Sequence, residues 1–277
     1  MMFAQQIAAL SNHTLASKAP SIFATEPWDG VSDKYTFVPT IDIIERLRAE
    51  ANLVPITARQ SRTRWGSGKN GYQKHEVRLV DARALTQGVR NVGDAYPTVN
   101  LTNSHDTGAA LAIDAGLFRL VCANGMMVPD NLAQSVRVRH TGDLGEVIDG
   151  VFSVVEESQN LLELVEEYRG IVVPKDAQVA FATAALELRE SSLPVTAEQL
   201  LRPRRYEDRS AQDYSLPKPD LWTTVNVVQE SLVRGGQVSQ SSTGRRMRTR
   251  AIADIAQDQK LNKSLFIIAE YFKQQLQ

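Results

Sequence analysis

Along this chain the spacing of apolar residues changes near the midpoint. Between Lys34 and Leu144 they come in short runs that alternate with polar residues, the two-residue period of strands. Val54 and Ile56 open one run, Val77 and Leu79 alternate with Glu76 and Arg78 in another, and Val136 and Val138 alternate with Arg137 and Arg139 in a third. With the runs that follow Pro97, five or six strands are expected. Lys74, Glu76 and Arg78 fall on one side of their strand, which is expected to face solvent there. One helical stretch interrupts this half, IDIIERLRAEAN, in which Ile41, Ile44, Leu47 and Ala51 share a face. From Asp143 the period lengthens to that of a helix. Leu144, Val147, Ile148, Val151, Val155, Leu162 and Val165 predict one long amphipathic helix ending near Gly170. Leu221, Val225, Val228 and Leu232 predict another, stopped by Gly235-Gly236, and Leu261, Leu265, Ile268 and Phe272 predict the last. The expected fold is α+β: a β-rich N-terminal half, an antiparallel sheet with one or two helices, followed by a helical half that contains a long acidic helix.

Turn-forming residues divide the chain further. Residues 1–33 carry Pro20, Pro27 and Gly30 with weak periodicity and read as an arm that covers something else, a partner subunit being one candidate. Residues 34–142 form the β-rich core and 143–201 a helical region packed on the sheet. The proline-rich polar stretch 202–219 is the linker candidate, and 220–277 close the chain with helices and a basic segment.

The 277 residues, 43% of them hydrophobic, are enough to bury a core without staples. Cys122 stands alone, so no intrachain disulfide is possible, as expected in a reducing compartment. The N-terminus lacks a positive leader region, and no apolar run approaches the roughly 20 residues of a membrane span. A cytoplasmic protein is expected.

The formal charge of −1 hides segregation. Arg59, Arg62, Arg64, Lys69 and Lys74 lie with Trp65 and Tyr72 in a stretch, Arg59 to His75, that has no acidic residue, and Arg78 follows. Glycines 66, 68 and 71 suit a mobile tip between strands. Ser231 to Ala253 is likewise free of Asp and Glu and carries Arg234, Arg245, Arg246, Arg248 and Arg250. Against these, Asp143 to Arg169 holds eight acidic residues and one basic. Guanidinium groups that track phosphates, with aromatic rings that stack on unpaired bases, are the usual means of holding single-stranded nucleic acid. For Arg245 to Arg250 a basic helix that neutralises the acidic one is the alternative.

Other motifs carry less. Gly68-Lys69 lacks the earlier glycine and the Ser or Thr of a phosphate loop. Asp106-Thr107-Gly108 fits a tight turn better than a proteolytic carboxylate. Ser104, His105 and Asp106, being consecutive, do not form a triad. Four histidines and one cysteine show no metal-ligand spacing, and neither a metal nor another cofactor is expected. Arg119, set among apolar residues, needs a carboxylate or carbonyl partner or else reaches a nucleic-acid groove. Asn124-Gly125 suits a turn.

The segment YPTVNLTNSHDTGAALAIDAGLFRLVCANGMMV, Tyr96 to Val128, contains Asn-Ser-His-Asp, Gly-Leu-Phe-Arg-Leu-Val-Cys and Asn-Gly. It resembles the centre of a phage- and plasmid-encoded family catalogued as domain of unknown function 932. WTTVNVVQESLVRGG (Trp222 to Gly236) and RTRAIADIAQDQKLNKSLFIIAEYF (Arg248 to Phe272) resemble that family's closing helices. The resemblance implies a mobile-element protein and no particular activity. With no nucleophile, metal cluster or nucleotide loop, the expected function is binding rather than catalysis: a protein acting on single-stranded DNA, in its sharpest form an ATP-independent strand-annealing protein of recombination. A homo-oligomer is expected with it. The alternative is a host-interaction protein that inhibits a bacterial defence system through the acidic helix. A hydrolase using His105 and Asp106 is the third reading.

Overall fold

The structure, a computed structural model, describes residues 8–63, 66–86, 95–119, 124–129, 132–133, 135–138, 144–189 and 194–277. In chain order come α1 (Asn12–Lys18), a 3-10 turn (Pro20–Phe23), α2 (Thr40–Glu50), β1 (Leu53–Gln60), β2 (His75–Asp81), α3 (Arg83–Thr86), β3 (Ala95–Asn103) and β4 (Leu111–Arg119). Then follow β5 (Asn124–Met127), β6 (Ser135–Val138), α4 (Leu144–Gly170), α5 (Lys175–Leu186), α6 (Ala197–Leu200), a 3-10 turn (Tyr206–Asp208), α7 (Leu221–Arg234), β7 (Val238–Gln240), β8 (Arg246–Arg248) and α8 (Ile255–Leu276). The antiparallel sheet lies in the N-terminal half and the long helices in the C-terminal half, and the fold is α+β. Asn124-Gly125, expected in a turn, begins β5 instead.

The chain divides into two compact units, Met1–Leu120 with Asp130–Leu162, and Val121–Pro129 with Glu163–Gln277. In the first, β1, β2, β3 and β4 are antiparallel neighbours in that order and β6 pairs with β4. Because side chains alternate across a sheet, the register sorts them onto two faces. Val77, Leu79, Val99, Leu101, Ile113, Ala115 and Leu117 form the apolar face. Leu15, Ala19 and Ile22 from the first thirty-three residues, and Ile43, Ile44 and Leu47 of α2, are buried in the same unit. The N-terminal segment is tied to β1: the amide of Leu10 donates to the carbonyl of Pro55 and Ser21 donates to the Gln60 side chain. Ile43, rather than the expected Ile41, completes the buried face of α2.

The second face of the sheet is the surprise. Strand β2 is not half-solvated; Glu76 and Arg78 are 2% and 8% exposed, and Asp114 on β4 is 2% exposed. The alternation correctly identified which residues share a side, but that side is covered.

In the second unit α7 starts at Asp220, whose carboxylate accepts from the Thr223 amide at 2.7 Å, and ends at Gly235 with φ 61°. All four apolar positions expected to face inward, Leu221, Val225, Val228 and Leu232, are buried. So are most of its polar ones: Gln229 donates to Asn262 of α8 at 2.9 Å, and Asn262 donates to Asp258 at 3.0 Å, which satisfies groups that would otherwise be costly to bury. Asp254 caps α8 through the Gln257 amide. On α4 the buried stripe is Val154, Ser158, Leu161, Val165 and Tyr168, displaced by one position from the expected Val155 and Leu162, which flank it half-buried. Among the described residues no helix is long and apolar enough to cross a membrane.

Candidate nucleic-acid interface

The first basic segment joins β1 to β2, and its glycines 66, 68 and 71 all have positive φ, as a tight irregular connection requires. Its cations are largely committed to the fold. The Nε of Arg59 donates to the carboxylate of Glu76 at 2.7 Å, and Arg78 lies 3.6 Å from that carboxylate. Lys69 sits 3.4 Å from the Asp106 carboxylate and 4.5 Å from the centre of the Trp28 ring. Lys74 and Tyr72 are half-buried, and their carbonyls accept from the Ser61 and His105 amides. Arg62 is exposed. Arg64 and Trp65 lie outside the described residues, as does Cys122.

The turn that follows β3 is built from side chains that point in three directions. Ser104 exchanges hydrogen bonds with the backbone of Ala109, Asp106 accepts from the Gly108 amide at 2.9 Å, and Thr107 takes positive φ. His105 turns inward, fully buried, with its ring 5.2 Å from His75 and 4.8 Å from Phe37. The tautomers follow from the partners. The Gln73 carbonyl can only accept, so Nδ1 of His75 donates to it at 3.0 Å; Nε2 of His75 therefore accepts from the Thr40 hydroxyl at 2.8 Å. Thr40 in turn accepts from Asn103 at 3.0 Å and from Nε2 of His105 at 3.3 Å. The chain has one direction and needs the His75 ring neutral, and burial lowers the His75 pKa to about 4. Burial, then the Asp106 charge, pushes the nearby Tyr35 phenol up to about 12. This is core architecture. His105 faces His75 and Phe37 in the interior, while the Asp106 carboxylate accepts from the Gly108 amide and lies 3.4 Å from Lys69. Among the described residues no group of three His, Cys, Asp or Glu is placed to hold a metal ion. Arg119, 6% exposed at the end of β4, belongs to the interior as well.

The second basic segment is organised differently. Arg245 to Arg250 do not form the helix weighed as an alternative. Val238–Gln240 and Arg246–Arg248 pair as a two-stranded antiparallel hairpin, turned at Gly244 with φ 77°. Arg245, Arg246, Arg248 and Arg250 are all exposed, and among the described residues none of the four has an ion-pair partner. Arg246 and Arg248 point to one side of the ribbon, Met247 to the other. The hairpin is fastened to the end of α7. The Gly236 amide donates to the Thr249 carbonyl, the Ile252 amide donates to the Val233 carbonyl, and Gln237 and Thr249 bond through their side chains at 2.5 Å. Arg189 donates to the carbonyls of Leu232 and Arg250, and Arg204 donates to that of Gly235, so guanidinium groups occupy the negative end of the helix. Arg205 and Arg234 lie at 2.9 Å and 3.3 Å from the buried carboxylate of Glu230. Two residues beyond Arg204, Tyr206 faces Tyr214 with ring centres 6.5 Å apart and planes 25° from parallel; the two are 66% and 59% exposed.

The family described as domain of unknown function (DUF932) matches residues 27–266. The chain belongs to that family. In Escherichia coli K12, the UPF0380 protein YafZ is 35% identical and the UPF0380 protein YfjQ 34% identical over 271 residues, which is 97% of this chain and 93% of each relative. No solved structure matches. The matched span of the DUF932 family takes in the sheet, the arginine hairpin and α7, while α1 and the first 3-10 turn precede it.

Sequence reasoning missed a set of residues on the second face of the sheet: Thr98, Asn100 and Thr102 on β3 and Asp114 on β4. The signal was present, because an Asp inside the apolar run LAIDAGLF and polar residues at every second position of a central strand are costly unless they serve a purpose.

Proposed function

We propose that this protein binds single-stranded nucleic acid, DNA in the first instance, with the β7–β8 arginine hairpin as its contact surface. The observation that supports this most is that, among the described residues, the hairpin's four exposed guanidinium groups have no carboxylate partner. A cation without an internal partner is available to a phosphate, whereas Arg59, Lys69 and Arg78 would first have to leave Glu76 and Asp106. A two-stranded ribbon carrying arginines is an established shape for contact with nucleic acid. The exposed Tyr206 and Tyr214 rings in the same unit favour single strands, whose unpaired bases offer faces to stack on. In the first unit Arg62 is exposed and is a separate, minor candidate contact, while Arg59, Lys69, Tyr72, Lys74 and Arg78 support the sheet. The protein acts in the cytoplasm as a homo-oligomer, for which Ile267 and Tyr271, exposed one turn apart on α8, are the candidate contact. Strand annealing without ATP is the activity that this combination would serve.

The test is fluorescence anisotropy of a labelled oligonucleotide, single-stranded and duplex, at about 50 and about 200 mM salt. Four phosphates neutralised on a single strand give a slope of roughly −3 in log affinity against log salt. Replacing Arg245, Arg246, Arg248 and Arg250 by Ala should remove most of that slope. Absence of single-strand binding at the lower salt refutes the reading.

A second reading has its own support. Glu156, Glu163 and Glu166 are exposed along α4, a line of negative charge that a host defence protein built to hold DNA would accept. It predicts that charge reversal on α4 abolishes inhibition of restriction in cells and leaves nucleic-acid binding intact.

A further inference from the structure

The open side of the β7–β8 ribbon carries its arginines in a row. The ladder continues past the strand ends, because the Gly236 amide donates to the Thr249 carbonyl and the Thr249 amide donates to the Gln237 carbonyl. Side chains alternate along such a ribbon, so Arg246, Arg248 and Arg250 share one side, successive members about 7 Å apart. The other side is packed: Gln237 and Thr249 are buried, and the Ser239 hydroxyl donates to the Pro194 carbonyl. Two more contacts follow that one along the chain. Gln199 donates to the Val238 carbonyl at 2.8 Å, and Arg204 donates to the Gly235 carbonyl. The contacts thus step from β7 to the foot of the ribbon, and Tyr206 follows Arg204 by two residues, at most about 7 Å of chain.

Arg204 therefore fastens to that foot a loop that presents two bare aromatic rings. Tyr206 opens the second 3-10 turn, and its carbonyl accepts from the Arg209 amide. Tyr214 sits in a turn closed by the Leu216 amide on the Asp213 carbonyl, while the amide and hydroxyl of Ser215 both donate to the Asp213 carboxylate. The two turns are joined where Arg209 bridges to Pro217 and the Ser210 amide donates to the Leu216 carbonyl. Backbone and turn hydrogen bonds order this loop, and neither ring is buried to do so. With planes 25° from parallel and centres 6.5 Å apart, the rings stand at the wide end of the spacing of paired aromatics and keep most of their surface in water. Among the described residues neither phenol has a hydrogen-bond partner. A ligand that suits this end of the ribbon offers a flat apolar face beside a line of negative charge. An unpaired nucleobase on its phosphate backbone has both, whereas a duplex hides the faces of its bases.

We infer that Tyr206 and Tyr214 form a base-stacking site at the foot of the ribbon, which takes an unpaired base of a DNA strand whose phosphates lie along Arg250, Arg248 and Arg246. Resting on the reading of the hairpin as a single-strand contact, the site adds where a base is held and why a duplex is refused. The experiment uses the full chain at about 50 mM salt and an oligothymidylate of about eight nucleotides with one central 2-aminopurine. Anisotropy of an end label reports affinity, and 2-aminopurine fluorescence, which stacking quenches, reports the site. A lone purine among thymines is the stronger stacker and should seat itself on the tyrosines, so binding should quench it. Tyr206→Ala and Tyr214→Ala should each relieve the quenching and weaken single-strand binding about tenfold. The preference over duplex should fall by the same factor, with the slope against salt kept. Both rings are exposed, so both variants should melt as the wild type does. Tyr206→Phe, which keeps the ring, should retain quenching and affinity. Salt-dependent single-strand binding that neither alanine variant weakens or unquenches overturns the stacking site and leaves the hairpin reading standing. An equal loss of duplex affinity overturns it as well. No single-strand binding by the wild type at this salt overturns both.

Discussion

The two basic segments look alike in sequence and differ in what their charge is for. In the first segment Arg59 at the end of β1 and Lys69 in the connection meet Glu76 and Asp106 from further along the chain, and Arg78 of β2 shares the Glu76 carboxylate. In the β7–β8 hairpin four arginines stand exposed and, among the described residues, without a counter-charge. A run of one sign along a chain therefore says little about surface potential until its partners across the fold are known. Charge that is neutralised internally belongs to stability, and charge left open belongs to recognition.

That distinction can be broken by experiment, most forcefully at Glu76. Glu76→Ala leaves two guanidinium groups without their shared carboxylate, one of them buried, and should cost ~3–5 kcal/mol in urea unfolding. Loss of less than about 1 kcal/mol would place those arginines with the open ones. The next effect comes from acid. The folded pKa of His75 lies near 4, below its ordinary 6.5, so between those values the unfolded chain takes up a proton that the folded one refuses. Stability is complete above about pH 6.5 and falls toward pH 4, by a total on the order of 3 kcal/mol. His75→Gln should flatten that decline when unfolding is followed at a series of pH values. The hairpin contains no histidine.

Smaller still, Arg246→Ala with Arg248→Ala should weaken single-strand binding about tenfold at low salt, while unfolding free energy stays within about 0.5 kcal/mol of the wild type. An equal loss of stability would mean that these arginines also serve the fold. The smallest difference is expected at Arg62, where Ala should change affinity by no more than about twofold. A larger drop would bring the first segment back into the contact surface.

The change of apolar period near Asp143 made the α+β order legible, and Gly235 marked the end of α7 correctly. What was not legible needed register. Arg59 meets Glu76 seventeen residues on, and Lys69 meets Asp106 thirty-seven residues on; no local pattern announces either pair. Alternation placed Glu76 and Arg78 on the polar side of their strand but carried no information on whether anything lies over that face. The hairpin was readable in part. Arg246, Met247 and Arg248 alternate as a strand does and Gly244 supplies the turn, yet three residues are too few for periodicity to outweigh a run of charge.

Gly235 has a consequence for whatever the arginines touch. Its φ of 61° and ψ of −146° are essentially confined to glycine, and a Cβ there would collide with the carbonyl oxygen of Arg250. The helix end and the returning strand are thus in direct backbone contact, with Arg189 and Arg204 closing the last carbonyls of α7. A ribbon mounted this way has little orientational freedom to lose when a ligand arrives. The entropy of ordering its base is spent when the chain folds, so a partner meets guanidinium groups already held in place and keeps more of the contact energy as affinity.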